Sequence, residues 1–192
     1  SLMGWVKLLR EEKEDTPVIL DSMEQDISRL SEISERFSKI GSKPKLKELS
    51  IADLIAEVSD YMKSRLPKQS GITITHSGEN NINIKGDWIL LRWAVENIIK
   101  NAIDAIGTGN GDISVTISKS ENEVRMDISD TGKGIPRTNW KNIFRPGYSS
   151  KRRGWGLGLS LTQRIIEEIH EGNIRVFRSK PGETVFRLNF PS

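Results

Sequence analysis

DISDTGKGIPRTNWKNIFRPGYSSKRRGWGLGLSLT, from Asp127 to Thr162, is the stretch on which the reading of this chain turns. It begins as the end of an alternating strand, VRMDISD (Val124 to Asp130), which carries a carboxylate into a turn containing Gly132 and Gly134. It closes with Gly154, Gly156 and Gly158 feeding directly into a helical pattern. Between the two glycine clusters, Ile135 to Arg153 is rich in Gly, Ser, Lys and Arg, with too little apolar content to hold one conformation unaided. A loop that long inside a compact domain is usually functional or disordered. Glycines let the backbone approach a ligand closely. A helix N-terminus presents unpaired N–H groups and partial positive charge to phosphate. Lys151, Arg152 and Arg153 add cationic donors beside that point. Either cluster alone reads equally well as an ordinary surface turn. Two of them flanking a basic loop, with an acid at a strand end, suit a nucleotide.

Upstream, the run from Trp88 to Ile106 predicts a helix ended by Gly107 and Gly109. Leu91, Ala94, Val95, Ile98, Ala102 and Ala105 form its expected buried side. Asn97, Asn101 and Asp104, spaced by four and three, share another face. Asparagine is a poor helix-interior residue because its amide competes for backbone bonds. Two of them one turn apart are either hard oxygen ligands for Mg²⁺ and donors to phosphate, or a solvated polar face.

Other elements follow from periodicity. LKELS is a short strand, and Ile51 to Leu66 a helix with Ile51, Leu54, Ile55, Val58 and Met62 inward. ITITHSG and INIKGD are strands, with Gly78 to Asn81 turning between them. ISVTISKSENEVRMDIS is a hairpin, LSLTQRIIEEIH a helix ending at Gly172, and IRVFRSKPGETVFRLNF a second hairpin turning at Pro181 and Gly182. The expected fold class is α/β: a two-layer sandwich of a mixed, mainly antiparallel sheet with helices on one face. Before it, residues 1–43 predict a truncated helical hairpin, whose second helix opens near Pro17 and carries Ile19, Met23, Ile27, Leu30, Ile33, Phe37 and Ile40 as one stripe. That arm either pairs with another copy or with further sequence, or folds back on its own domain. The boundary falls at Gly41 to Pro44, leaving residues 44–192 as the second domain.

With 192 residues, 35% hydrophobic and 29% charged, the chain can build one ordinary core and a small appendage. The net charge of +3 is spread among acids rather than concentrated on a face, which argues against a dedicated nucleic-acid binder. No cysteine is present, so disulfides, thiolate metal sites and a cysteine nucleophile are excluded. No apolar run is long enough to span a bilayer. Cytoplasm is the natural compartment, whether or not a longer parent is anchored in the inner membrane.

Taken together, VENIIKNAIDAI, DTGKGIP, NIFRPGYSSK and GWGLGLSL resemble, in order, the N, G1, F and G2 boxes of the GHKL (Bergerat-fold) ATP-binding superfamily. The likeness is greatest to the catalytic domain of two-component sensor histidine kinases, and the arm is similar to part of the dimerisation and histidine-phosphotransfer hairpin that precedes it there. The resemblance implies ATP and Mg²⁺ as cofactors. It implies that Asp130 accepts a hydrogen bond from the adenine amino group, with Gly132, Gly134 and Ile135 passing close to the base and Thr184 supporting the pocket from the last hairpin. Asn97 would ligate Mg²⁺, and Asn101 would lie near the phosphates. Phe144 would anchor an ATP lid that carries Lys151 and Arg153, and Gly154, Gly156, Leu157 and Gly158 would form the phosphate-facing turn.

The acids then separate reaction types. Hydrolysing relatives of the gyrase type carry a glutamate where this chain has Asn97, and Glu96 is rotated by roughly 100° around the helix; an i,i+4 pair with Lys100 is its plainer role. Without a water-activating base, transfer to a histidine is the implied reaction, resting on positioning and charge neutralisation. The acceptor motif of the family is not found in the chain, and His76 and His170 read as structural or exposed, so a fragment that binds Mg-ATP without phosphorylating itself is expected. The implied partners are ATP or ADP, the acceptor helix of the full-length kinase, a response-regulator receiver domain, and a second copy in the parent dimer; no nucleic acid. The alternatives are a GHKL ATPase, an anti-sigma-type Ser/Thr kinase, and a non-catalytic nucleotide-binding scaffold.

Overall fold

The computed structural model describes Thr16, Pro17, residues 19–21, 23, 24 and 27, then residues 44–67, 69–79, 81–149 and 156–192. Contacts divide the chain into two units, Ser1–Pro44 and Lys45–Ser192. In the first, the described residues from Thr16 to Ile27 are helical, around the start expected near Pro17. The rest of the expected hairpin, including Ile33, Phe37 and Ile40, lies outside the described residues.

The second unit opens with strand β1 (Lys47–Ser50) and helix α1 (Ile51–Arg65). Ser50 caps α1 by accepting the Asp53 amide at 3.2 Å, with acid in the first turn and Lys63 and Arg65 in the last, matching the helix dipole. Strands β2 (Ile72–Gly78) and β3 (Asn83–Gly86) follow, then helix α2 (Trp88–Ile106). Asp87 starts α2 by accepting the amides of Ile89 and Leu90, each at 3.0 Å, and Gly107 at φ +75° ends it. Leu90, Leu91, Ala94, Val95, Ile98, Ile99 and Ala102 are its buried side. Each large apolar side chain there contributes about 1.5–3 kcal/mol. Ala105, expected with them, is half-buried.

Strands β4 (Gly111–Lys119), β5 (Glu123–Asp130), β6 (Asn173–Lys180) and β7 (Glu183–Pro191) complete a five-stranded sheet of order β2-β4-β5-β7-β6. Only β2 and β4 run parallel, and the crossover between them carries β3 and α2. The two strands read on either side of the Gly78 to Asn81 turn therefore do not pair with each other. β3 leaves to form a two-stranded antiparallel sheet with β1. Along β5, Val124, Met126, Ile128 and Asp130 are buried toward the helices while Arg125, Asp127 and Ser129 face the other way. Helix α3 (Gly158–Arg164) begins one residue earlier than LSLTQR suggests and continues as a π-helical turn, Ile165–Ile169, which no propensity foretold.

His170 closes that turn and is buried. The Asp87 amide donates to its Nε2 at 3.0 Å, which leaves Nδ1–H to donate to the Ile165 carbonyl at 2.7 Å. Burial holds its pKa below the ordinary histidine value, against the raising effects of the Ile165 carbonyl and the Asp87 charge. The imidazole is thus a neutral tie between the start of α2 and the end of the third helical segment.

Candidate nucleotide-binding site

Three strand ends meet at one edge of the large sheet. Asp130 on β5 is the cross-strand partner of Thr184 on β7, and Thr184 is in turn the partner of Ser179 on β6. Asp130 and Thr184 are 4% and 2% exposed, which is unusual for a carboxylate and demands compensation. Part of it comes from the Gly132 amide, which donates to Asp130 Oδ1 at 2.8 Å. Burial outweighs that bond and pushes the Asp130 carboxyl up to about 6.

The turn after Asp130 is strapped on two sides. Lys133 N–H donates to the Ala105 carbonyl at 3.1 Å, tying it to the end of α2, and Gly182 N–H donates to the Gly132 carbonyl at 2.8 Å, tying it to the β6–β7 turn. Gly134 holds φ +80°, and a side chain there would press within 2.7 Å of the Lys180 backbone. Only glycine fits both demands. Ile135 N–H donates to Ser179 Oγ at 2.7 Å, and the Trp140 indole donates to the Ile135 carbonyl at 3.0 Å. The start of the long loop is accordingly built rather than loose, with short 3-10 turns at Arg137–Asn139 and Asn142–Phe144. Phe144 packs edge-on against Phe186 of β7, 6.4 Å between ring centroids at 85°.

Midway along α2, Asn97 donates through Nδ2 to Thr162 Oγ1 at 2.9 Å, and Thr162 donates to the Gly158 carbonyl at 3.0 Å. A Cβ on Gly158 would collide with Asn97 Oδ1, so glycine is what lets the start of α3 lie against this amide. No side chain caps α3, whose N-cap residue is Leu157. Gly147 N–H donates to the Gly156 carbonyl at 3.0 Å, pinning together the two ends of the segment between them. Asn101 sits one turn along α2 from Asn97 and is half-buried. Asn97, Asn101 and Ala105 thus follow one another at a spacing of four. The stretch of α2 from the start of α3 to the Asp130 turn is about 12 Å long at 1.5 Å per residue.

The structure therefore gathers Asp130, Gly132, Gly134, Ile135 and Thr184 at one end, and Asn97, Leu157 and Gly158 at the other, with Gly156 beside Gly147 and Phe144 on Phe186. Lys151, Arg153 and Gly154 lie outside the described residues. Ser179 and Thr162 were not singled out from sequence. The signals were slight: Ser179 and Thr184 flank the Pro181-Gly182 turn, and Thr162 follows Gly158 by four. Glu96 closes a salt bridge to Arg92 at 2.9 Å, one turn back, where sequence suggested Lys100 one turn forward. Arg92 also meets Glu57 at 3.2 Å.

The chemistry of this donor set fits a nucleoside triphosphate. A buried acid beside glycines suits a base, and uncapped helix amides beside a side-chain carbonyl oxygen suit phosphate and a hard cation. Among the described residues no group of three or more His, Cys, Asp or Glu gathers as a metal cage. One amide oxygen fits Mg²⁺ that is otherwise held by phosphates and water.

Residues 86–192, more than half of the chain, match the family described as histidine kinase-, DNA gyrase B-, and HSP90-like ATPase, and the chain belongs to that family. Within it, the ATP-binding catalytic domain is homologous to those of sensor histidine kinases. Sporulation kinase A of Bacillus subtilis (strain 168) is 32% identical over 196 residues, covering 100% of this chain and 32% of that protein. The chain thus spans about a third of that relative's length. Among solved structures, the nucleotide-free catalytic domain of histidine kinase ThkA matches with a TM-score of 0.69 at 28% identity, over 76% of this chain and 95% of that one. ThkA in complex with the response regulator protein TrrA matches in fold with a TM-score of 0.73 at 24% identity, over 99% of this chain and 56% of that one. Among the described residues no helix is long and apolar enough to cross a membrane.

Proposed function

We propose that this chain binds Mg-ATP along α2 and serves a sensor histidine kinase, passing the γ-phosphoryl group to a histidine on a helical hairpin. The observation that carries the proposal is the two-ended site along the second half of α2: Asp130 and Thr184 buried beside the helix's C-terminal end, Asn97 at its middle against an uncapped helix start. Asp130 accepts the exocyclic amine of adenine, and Gly132, Gly134 and Ile135 give the base a backbone-lined slot. The first amides of α3, after Leu157 and Gly158, take phosphate oxygens, and Asn97 Oδ1 with Asn101 faces the metal and phosphates. Mg²⁺, when bound, neutralises charge developing on the transferred group. Lys151 and Arg153 add cations from the lid, which Phe144 anchors.

Neither histidine of the chain is the acceptor in this reading. Both ring nitrogens of His170 are engaged, and His76 is exposed on β2. Glu96, the nearest acid to Asn97 in sequence, is held by Arg92, which supports transfer over hydrolysis. The acceptor hairpin, a receiver-domain partner and dimerisation through residues 1–43 belong to the same proposal. The test is incubation with γ-labelled ATP of this chain alone and of the protein with its complete hairpin. Acid-labile label is expected on the latter only. Stable label on His76 or His170, or rapid release of inorganic phosphate by the chain alone, contradicts the assignment.

A further inference from the structure

The far wall of the base pocket contains a feature the proposed chemistry does not use. Along β6, Ile174 and Val176 are buried toward the helices, so in a regular strand the next residue on that face is Arg178. The register instead shifts between Val176 and Arg178. Val176 pairs with Phe186, Arg178 with Val185, and Ser179 with Thr184. One extra residue, Phe177, is accommodated as a bulge, and the face of everything after it is exchanged. Phe177 is pushed to the helix-free side, where its ring lies 3.5 Å from the Arg187 guanidinium. Arg187 is itself clamped by two bonds to Asp127, at 2.8 and 2.7 Å. The bulge is thereby pinned from behind, and its consequence in front is that Ser179, rather than Arg178, faces the pocket.

Ser179 Oγ there accepts the Ile135 amide at 2.7 Å and lies 2.9 Å from Thr184 Oγ1. An oxygen that has accepted a hydrogen bond becomes a better donor through its own hydrogen. Either hydroxyl can supply the hydrogen between Ser179 and Thr184, and the bond from Ile135 N–H favours the Ser179 hydroxyl as that donor. In that direction the Thr184 hydrogen is not spent on Ser179, and Asp130 is the cross-strand partner of Thr184.

We infer that Ser179, turned inward by the Phe177 bulge, is a positioning residue that fixes Thr184 as a donor and so selects the base edge the pocket accepts. The inference rests on the nucleotide-site reading above. An acceptor (Asp130) beside a donor (Thr184) complements a base edge that offers an amino group beside a bare ring nitrogen, as adenine does. A 6-oxo purine presents the reverse order. With Ser179 unable to donate, the Thr184 hydroxyl is free to rotate, and the penalty against the 6-oxo base falls.

The test is the ratio of dissociation constants for ATP and inosine triphosphate, measured on the full chain with Mg²⁺. In Ser179→Ala the preference for ATP is expected to fall roughly threefold to tenfold, the weight of one neutral hydrogen bond. Ser179→Thr restores it. General loosening of the Ile135 turn weakens both nucleotides alike and leaves the ratio unmoved. Should the alanine variant melt early, Ser179→Cys carries the same readout, because it keeps the volume and offers only a weak donor. A ratio unchanged in Ser179→Ala, or in the cysteine variant, while Thr184→Val alters it, overturns the inference alone. Wild-type chain that binds neither nucleotide at millimolar concentration overturns the nucleotide-site reading and this inference together.

Discussion

Replacing Asp130 with asparagine should make the protein more stable and less able to bind ATP, and both effects follow from one buried group. The Asp130 carboxyl titrates near 6 in the folded protein, against a reference of 3.8, chiefly because burial disfavours its charge. The folded state therefore keeps the proton longer than the unfolded chain does. The stability this gives is fully present below about pH 4 and is lost as pH rises through 6, a cost of up to about 3 kcal/mol at neutral pH. Asparagine keeps an oxygen for the Gly132 amide and never ionises, so it avoids that cost. At pH 7.5 the Asp130→Asn variant should melt roughly 5 to 10 °C higher than wild type, and the gain should vanish toward pH 4. In the proposed base pocket its amide also turns a donor toward the adenine amino group in place of a charged acceptor, and should weaken ATP by about 10- to 100-fold. Thermal melts across this pH range, with calorimetric titration of ATP, read both quantities on the same samples. A variant that melts at or below wild type at pH 7.5 refutes the burial argument. One that binds ATP as wild type does removes Asp130 from the base pocket.

Three further expectations follow from neighbouring contacts. Gly158→Ala puts a methyl where Asn97 Oδ1 lies; Mg-ATP affinity should fall roughly 10- to 100-fold in a fluorescent-analogue titration, with circular dichroism unchanged. His170→Ala leaves the Asp87 amide and Ile165 carbonyl without their partner and should cost about 2–4 kcal/mol in urea unfolding at pH 7.5. Because the folded His170 pKa is lowered, wild-type stability from this group is present above pH 6.5 and lost as pH falls below it, so the gap between wild type and variant should narrow at pH 5.5. Phe144→Ala removes an edge-on ring contact worth about 0.5–1.5 kcal/mol beyond its buried area. Limited tryptic cleavage after Lys141, which is exposed and followed by Asn142, should then quicken, whereas an unchanged cleavage rate would mean that Phe144 does not anchor the segment.

Periodicity was enough to find most elements, because alternation on β4, β5 and β7 and the stripes on α1 and α2 report which side is buried. It does not report which strand lies next to which. β2 and β3 follow each other closely in sequence, yet β2 lies parallel to β4 while β3 joins β1. The π-helical turn was equally hidden, since its i→i−5 bond from His170 to Ile165 goes with an imidazole that is tied to Asp87 across 83 residues. At the site, Asp130, Gly134 and Gly158 were legible because strand end, positive φ and close approach leave marks in residue choice. Ser179 was not. Its inward orientation follows from the register shift at Phe177, and strand propensity treats FRSK as an ordinary alternating edge.

The most direct measurement is a backbone and side-chain amide NMR titration of the chain with a non-hydrolysable ATP analogue and Mg²⁺. The account predicts that Gly132, Gly134, Ile135, Gly158 and the Asn97 side-chain amide move together, with one dissociation constant, and that Asp130→Asn weakens all of them. Saturable shifts confined to other surfaces, or the Asp130 turn and the Asn97–Gly158 contact responding with unrelated constants, would contradict it.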